Sequence, residues 1–218
     1  MLRDYQVISI RHLTEDCFVL RTERKDLKFD AGQLVSLGPR GMGVNREYSI
    51  YSGEQAQHLE FLVRNITDGT VSKRLSRLET GDKVFILGPY SEFKIKHTVK
   101  SHRPHWLIAT GTGIAPFHSI VQSYPQLNYR MIHGIRLASE KYDAQDYAPD
   151  SYLPCISKDR QGDRVAFSGR VTHYLSEAPL PPKGVYYLCG NNHMITEAYK
   201  ILISRGVSSD DIHSEVFF

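Results

Sequence analysis

The chain has 218 residues, 41% of them hydrophobic and 23% charged, with a formal net charge of +3. That composition excludes a disordered chain, a collagen-like fibre and a disulfide-stapled mini-protein, and the length suits two small domains or one larger one. The charge is modest and its Lys and Arg residues are scattered, which argues against nucleic-acid binding.

Up to about residue 96, short β-type runs alternate with turn residues. Strands are predicted at Gln6–Ile10, Cys17–Thr22, Gln33–Leu37, Glu47–Tyr51, Leu59–Val63 and Lys83–Leu87, separated by groups such as Gly38-Pro39, Asp68-Gly69 and Gly81-Asp82. Such spacing predicts a small antiparallel barrel or sandwich. One helix is predicted over Val71–Leu78, where Val71, Leu75 and Leu78 share a face.

The polar stretch Lys96–His105, which carries Pro104, reads as a linker between residues 1–100 and residues 101–218. Beyond it the rhythm becomes strand, helix, strand. Trp106–Ala109, Tyr129–Gly134, Pro154–Ser157, Val185–Leu188 and Ile212–Phe218 read as strands, with helices over Pro116–Ser123 and His193–Ser204, the latter ending at Gly206. That alternation predicts a parallel sheet covered by helices, an α/β domain of Rossmann-like type.

Cys17, Cys155 and Cys189 are odd in number and widely spaced, so they frame neither disulfides nor a zinc or iron–sulfur site, and no metal is expected. No run approaches the roughly 18 apolar residues of a membrane span. The opening Met-Leu-Arg-Asp-Tyr lacks the pattern of a signal peptide. With reduced thiols, these features predict a cytoplasmic protein that binds no membrane.

Four segments carry chemistry. Thr110-Gly111-Thr112-Gly113-Ile114-Ala115-Pro116 follows an apolar strand and opens a helix. Its glycines let backbone approach a diphosphate at a helix N-terminus, and Pro116 suits the first helical turn. Pro116 also departs from the G-x-G-x-x-G pattern, which places a third glycine there. Arg46-Glu47-Tyr48-Ser49-Ile50-Tyr51-Ser52 alternates Arg46, Tyr48 and Ile50 on one face with Glu47, Ser49 and Tyr51 on the other. Taken alone it is a half-exposed strand. Asp68 through Leu75 places Gly69 before a helix and Ser72 in its first turn, which serves equally as an anion site or a plain cap. Tyr187-Leu188-Cys189-Gly190 ends a strand on the sheet edge where ligands of open α/β sheets bind.

In this order, the four segments resemble the ferredoxin–NADP reductase family of flavoproteins. The family's R-x-Y-S motif matches Arg46, Tyr48 and Ser49; its G-x-x-S matches Gly69 and Ser72. Its G-T-G-x-x-P loop matches Gly111 through Pro116, and its C-G segment matches Cys189-Gly190. The ending Glu215-Val216-Phe217-Phe218 is similar to the family's glutamate and terminal aromatic. Two phenylalanines close this chain where the family often has Tyr or Trp, so either Phe217 or Phe218 would cover the flavin.

The resemblance implies an N-terminal FAD-binding antiparallel β-barrel, residues 1–100, and a C-terminal NADP(H)-binding domain, residues 101–218. Arg46 would pair with the FAD diphosphate, Tyr48 would pack on the flavin and Ser49 would bond near its reactive nitrogen. Gly69, Val71 and Ser72 would hold the diphosphate, with Ile50, Leu62, Val63 and Arg64 completing the flavin site. Thr112 would lie where the cofactors meet. Gly111, Gly113, Pro116, Gly190 and Met194 would contact the dinucleotide. Ser49, Cys189 and Glu215 would border the reacting rings.

An NAD site offers a carboxylate to the ribose, whereas a 2′-phosphate needs cations. Arg136, Lys158 and Arg170 are therefore expected to select NADPH, with Ser157 hydrogen-bonding and Arg160 in reserve. The expected reaction is electron exchange between NADP(H) and an acidic carrier, ferredoxin or flavodoxin, by a monomer or weak dimer. Residues 1–100 hold 16 Lys+Arg against 13 Asp+Glu, while residues 101–218 hold 11 of each. Lys73, Arg74, Arg77, Lys94 and Lys96 would steer such a carrier. A reductase component serving an oxygenase or free flavin is the alternative on the same scaffold. A non-catalytic redox sensor is another, and a plain dehydrogenase would leave the R-x-Y-S motif without a task.

Overall fold

The computed structural model describes residues 3–95, 103–159, 165–181 and 183–217, with Arg3, Asp159 and Phe217 described by their backbone alone. Its contacts divide it into two units, Met1–Ile95 with Ala115–Ser123, and Lys96–Ile114 with Tyr124–Phe218.

In the first unit the period-two alternation of apolar residues produces strands with one face inward. These are β1 (Arg3–His12), β2 (Cys17–Glu23), β3 (Leu34–Pro39), β4 (Arg46–Ser49), β5 (His58–Arg64) and β6 (Lys83–Tyr90). They pair antiparallel in the order β4-β3-β6-β1-β2-β5. The two outer strands meet beyond β4, where Ile50 bridges Phe61 and the Tyr51 N–H donates to the Glu60 carbonyl at 2.7 Å. The sheet so closes on itself, which removes the open edge that an isolated sheet would expose. Phe18 and Leu20 of β2, Val35 and Leu37 of β3, and Leu59, Phe61 and Val63 of β5 fill the interior.

Helix α1 (Thr70–Leu75) plugs that interior with Val71 and Leu75. Burying each such side chain is worth about 1.5–3 kcal/mol. The helix stops short of the expected Leu78 because the Leu78 N–H turns to the Leu75 carbonyl at 3.3 Å, although Leu78 still packs on the core. Helix α2 (Ala115–Ser123) also belongs to this unit. Its Ser119 hydroxyl donates to the Ser52 carbonyl at 2.8 Å, and its His118 ring stacks on Tyr51 with centroids 3.7 Å apart.

The second unit holds β7 (His105–Thr110), β8 (Tyr129–Leu137), β9 (Tyr152–Asp159), β10 (Phe167–Ser168), β11 (Val185–Asn191) and β12 (Ile212–Phe217). All neighbours pair parallel, in the order β10-β9-β8-β7-β11-β12. Helices α3 (Val171–Glu177) and α4 (Asn192–Ser204) pack on it, burying Leu175, Met194, Ala198 and Leu202 against Trp106, Ile108 and Leu188. Continuous apolar strands such as Val185–Leu188 are the signature of a sheet covered on both faces. The antiparallel barrel and the parallel α/β sheet are the fold classes expected.

The linker reading needs one correction. His105 is not a linker residue: it opens β7, is 1% exposed, and its N–H donates to the Asn128 carbonyl at 2.9 Å. Parallel pairing with Val185 and Tyr129 draws a polar residue into the sheet. Lys96 lies outside the described residues. Strand β10 and helix α3 were not expected; both are short, and propensity summed over so few residues carries little signal.

Candidate functional site

Each unit gathers its own set of site residues. In the barrel unit, β4 ends at Ser49, which pairs with Leu34 while Tyr48 pairs with Val35. Ser49 is 2% exposed, and among the described residues its hydroxyl has no hydrogen-bond partner. Tyr48 packs at the margin of the core, and burial, outweighing the nearby Arg46 charge, pushes its phenol up to about 12. The phenol therefore stays protonated and able to donate. Arg46 is exposed, and its Nη1 donates to the Asn45 carbonyl at 2.9 Å.

On the same unit, Ser72 is buried at the start of α1 and its hydroxyl oxygen accepts the Ile66 N–H at 3.3 Å. The O–H hydrogen is left for another acceptor. Ile50, Val63 and Val71 point into the core, so they could meet a ligand through backbone groups. Leu62 is buried, and Arg64 is paired to Asp16 by Nε at 2.9 Å and Nη2 at 2.8 Å.

In the sheet unit, chain order runs outward from β7 through β8, β9 and β10, then returns to the other side of β7 with β11. The chain order therefore reverses between β7 and β11, and the carboxyl ends of strands beside such a reversal are where open α/β sheets bind nucleotides. The 3-10 turn Gly111–Ile114 and the pair Cys189-Gly190 both lie there. A side chain on Gly113 would start 2.5 Å from the Cys189 carbonyl, and one on Gly190, at φ +131°, would start 2.3 Å from Thr110 Oγ1. Glycine is required at both positions because the two strand ends are in backbone contact. That Oγ1 accepts the Asn191 N–H at 3.0 Å, which ties β7 to β11 at their carboxyl ends. Nothing lies within 4 Å of where a side chain on Gly111 would begin.

Cys189 is fully buried, and burial, with the Glu215 carboxylate adding to it, pushes its thiol well above the usual range. Glu215 stands opposite Cys189 in the β11–β12 register. The thiol is therefore protonated and not a nucleophile.

Arg136, Ser157, Lys158 and Arg170 come from three separate segments, and the sheet order brings those segments together. Arg136 precedes the end of β8, Ser157 and Lys158 the end of β9, and Arg170 follows β10, on three adjacent parallel strands. Arg136, Lys158 and Arg170 are exposed. Ser157 Oγ donates to the Ile135 carbonyl at 3.2 Å. Met194 is 6% exposed and packs in the core under α4. Pro116 is buried in the first turn of α2. Arg160 and Phe218 lie outside the described residues.

Two family models cover most of the chain: an oxidoreductase FAD-binding domain over residues 4–95 and an oxidoreductase NAD-binding domain over residues 107–200. A ferredoxin–NADP reductase of Pseudomonas aeruginosa is 28% identical over 232 residues, spanning 93% of this chain and 89% of the relative. The chain belongs to the ferredoxin–NADP reductase family. A solved ferredoxin NADP+ reductase from Neisseria gonorrhoeae, crystallised with FAD and NADP, shares the fold with a TM-score of 0.89 at 23% identity, covering 100% of this chain and 99% of that one. The electron transfer component of toluate 1,2-dioxygenase from Pseudomonas putida is 26% identical, covering 97% of this chain and 66% of the relative. As a member of this family the chain is a flavoprotein oxidoreductase.

The residues present fit both cofactors of the family. A buried hydroxyl without a partner is costly, about 1–3 kcal/mol, unless a ligand completes it, and Ser49 stands in the flavin motif with such a hydroxyl. The open backbone at Gly111 and the cation row along the β8–β10 edge suit a dinucleotide carrying an extra phosphate.

Sequence reasoning missed Glu140 and His133. Glu140 is 8% exposed, and its Oε2 accepts the N–H groups of Arg136 at 2.6 Å and Leu137 at 3.1 Å. The first carboxylate after β8 is thereby turned onto the backbone, leaving the cations at that edge. Its spacing, three residues after Leu137, is the capping distance that could have signalled it. His133 is a titratable residue inside the apolar run Met131–Ile135, and that break in pattern was its only signal.

Proposed function

We propose that this reductase exchanges hydride with NADP(H) and single electrons with a small acidic carrier protein, a ferredoxin or a flavodoxin. FAD, when bound, would supply the chemistry linking the two-electron and one-electron exchanges. The remaining tasks fall to the chain. Ser49 donates its unpaired hydroxyl to the flavin edge, Tyr48 supplies an apolar face, and Arg46 neutralises the diphosphate together with the backbone at Gly69, Val71 and Ser72. Gly111, Thr112 and Gly113 offer backbone to the nucleotide diphosphate, Arg136, Lys158 and Arg170 take the 2′-phosphate, and Cys189 and Glu215 border the nicotinamide.

The observation that carries NADP(H) over NAD(H) is the three exposed cations on adjacent strand ends beside a carboxylate spent on backbone amides. An Arg136→Ala, Lys158→Ala double variant should raise KM for NADPH about a hundredfold, by loss of two charge-assisted contacts, and leave KM for NADH within about threefold. Equal losses for the two nucleotides would sink the assignment.

Among the described residues, Lys73, Arg74 and Arg77 are exposed and carry no ion pair, whereas Lys94 is tied to Asp30 at 2.8 Å. Carrier steering therefore rests on the first three. The similarity to the toluate dioxygenase component supports a second reading, in which the acceptor is an oxygenase partner; the flavin and nucleotide chemistry is unchanged. No helix among the described residues is long and apolar enough to cross a membrane. A cytoplasmic location and a monomeric or weakly dimeric state complete the proposal, the former resting on three buried free thiols.

A further inference from the structure

Next to β7, strand β8 carries a fully buried imidazole, His133. Its Nε2 lies 2.9 Å from the Gly111 carbonyl oxygen and its Nδ1 lies 3.0 Å from the Tyr152 hydroxyl. A carbonyl oxygen only accepts, so Nε2 carries the proton. Burial pushes the imidazole down to about 4, against the smaller opposite pull of the Gly111 bond, so the ring is neutral near pH 7. The Nδ1 lone pair then accepts the Tyr152 O–H, and the tautomer is set from both sides. Tyr152 is itself stacked on Tyr147 with centroids 5.1 Å apart, and Tyr142 leans on the imidazole at 5.8 Å.

In a trans peptide the carbonyl and the following N–H point opposite ways. With the Gly111 carbonyl drawn to His133, the Thr112 N–H faces away from the imidazole, outward from the turn that closes β7. We propose that His133 is a positioning residue for the nucleotide loop. By donating to Gly111 it fixes the plane of the Gly111–Thr112 peptide and aims the Thr112 N–H at the dinucleotide diphosphate, while Tyr152 holds the required tautomer. This role rests on the NADP(H) reading above.

The test uses the full-length, FAD-loaded protein and titrates NADP+ by calorimetry, beside steady-state turnover with NADPH. His133→Phe should raise Kd and KM about tenfold, the cost of one misplaced hydrogen bond, with kcat changed less than about twofold. His133→Gln, whose amide nitrogen reaches the place of Nε2, should recover most of the affinity. His133→Asn, whose amide reaches only the place of Nδ1, should not. Long-range proton–nitrogen spectra should show the Nε2–H tautomer in the wild type and a mixture in Tyr152→Phe. Wild-type affinity in a folded His133→Phe protein would overturn the positioning role, as would Gln and Asn variants that lose affinity equally and in step with their melting temperatures. A wild-type protein that binds no NADP+ would overturn the nucleotide reading itself, and this role with it.

Discussion

The two units prepare buried polar groups in opposite ways. In the barrel unit, Ser49 is buried at the end of β4 with its hydroxyl unpartnered among the described residues. In the sheet unit, His133 is buried with both ring nitrogens engaged, one on Gly111 and one on Tyr152. A buried polar group without a partner is destabilising in the free protein, whereas a satisfied one rigidifies its surroundings. Under the proposed function, the first arrangement suits a ligand contact and the second suits scaffold. The proposal accordingly assigns Ser49 to cofactor contact and His133 to holding the backbone.

The contrast is most strongly tested through pH. The folded pKa of His133, about 4, lies below its ordinary 6.5, so between these values the unfolded chain binds the proton that the folded chain refuses. Stability contributed by this group is full above pH 6.5 and is lost as pH falls toward 4, by about 3 kcal/mol in total. Urea midpoints measured at pH 7 and pH 4.5 should therefore diverge more in the wild type than in His133→Phe. Identical pH dependence in the two would mean that the imidazole is not held neutral by its surroundings.

A smaller effect, of opposite sign for stability, sharpens the other half. Ser49→Ala deletes an unpaired hydroxyl, so the FAD-free protein should melt at the same temperature or slightly higher, a change within about 1 kcal/mol. Turnover of the FAD-loaded variant should fall about tenfold, because a contact to the flavin edge is lost. A variant that is clearly destabilised without FAD would show Ser49 to be scaffold like His133, and the distinction between the units would collapse.

Much of this was legible in the chain itself. Period-two runs located the barrel strands, and the continuous apolar runs Trp106–Ala109 and Val185–Leu188 located the central parallel strands. The R-x-Y-S motif was readable because Arg46, Tyr48 and Ser49 lie within one short strand. The cations were nameable one by one, but their convergence depends on β8, β9 and β10 being neighbours, which is a property of sheet order. His133 was not legible because its partners, Gly111 and Tyr152, lie 22 and 19 residues away in sequence. His105 was misread for a related reason, since pairing to strands on both sides outweighs its polarity.

The most direct measurement is the anaerobic visible spectrum of the FAD-reconstituted protein, recorded before and after NADPH and, separately, NADH. Flavin bound to the protein should bleach promptly with NADPH and poorly with NADH, establishing hydride acceptance and the phosphate-binding edge together. Failure to retain flavin, or a bound flavin that neither nucleotide reduces, would contradict the reductase assignment; equal bleaching by both would contradict the role given to Arg136, Lys158 and Arg170.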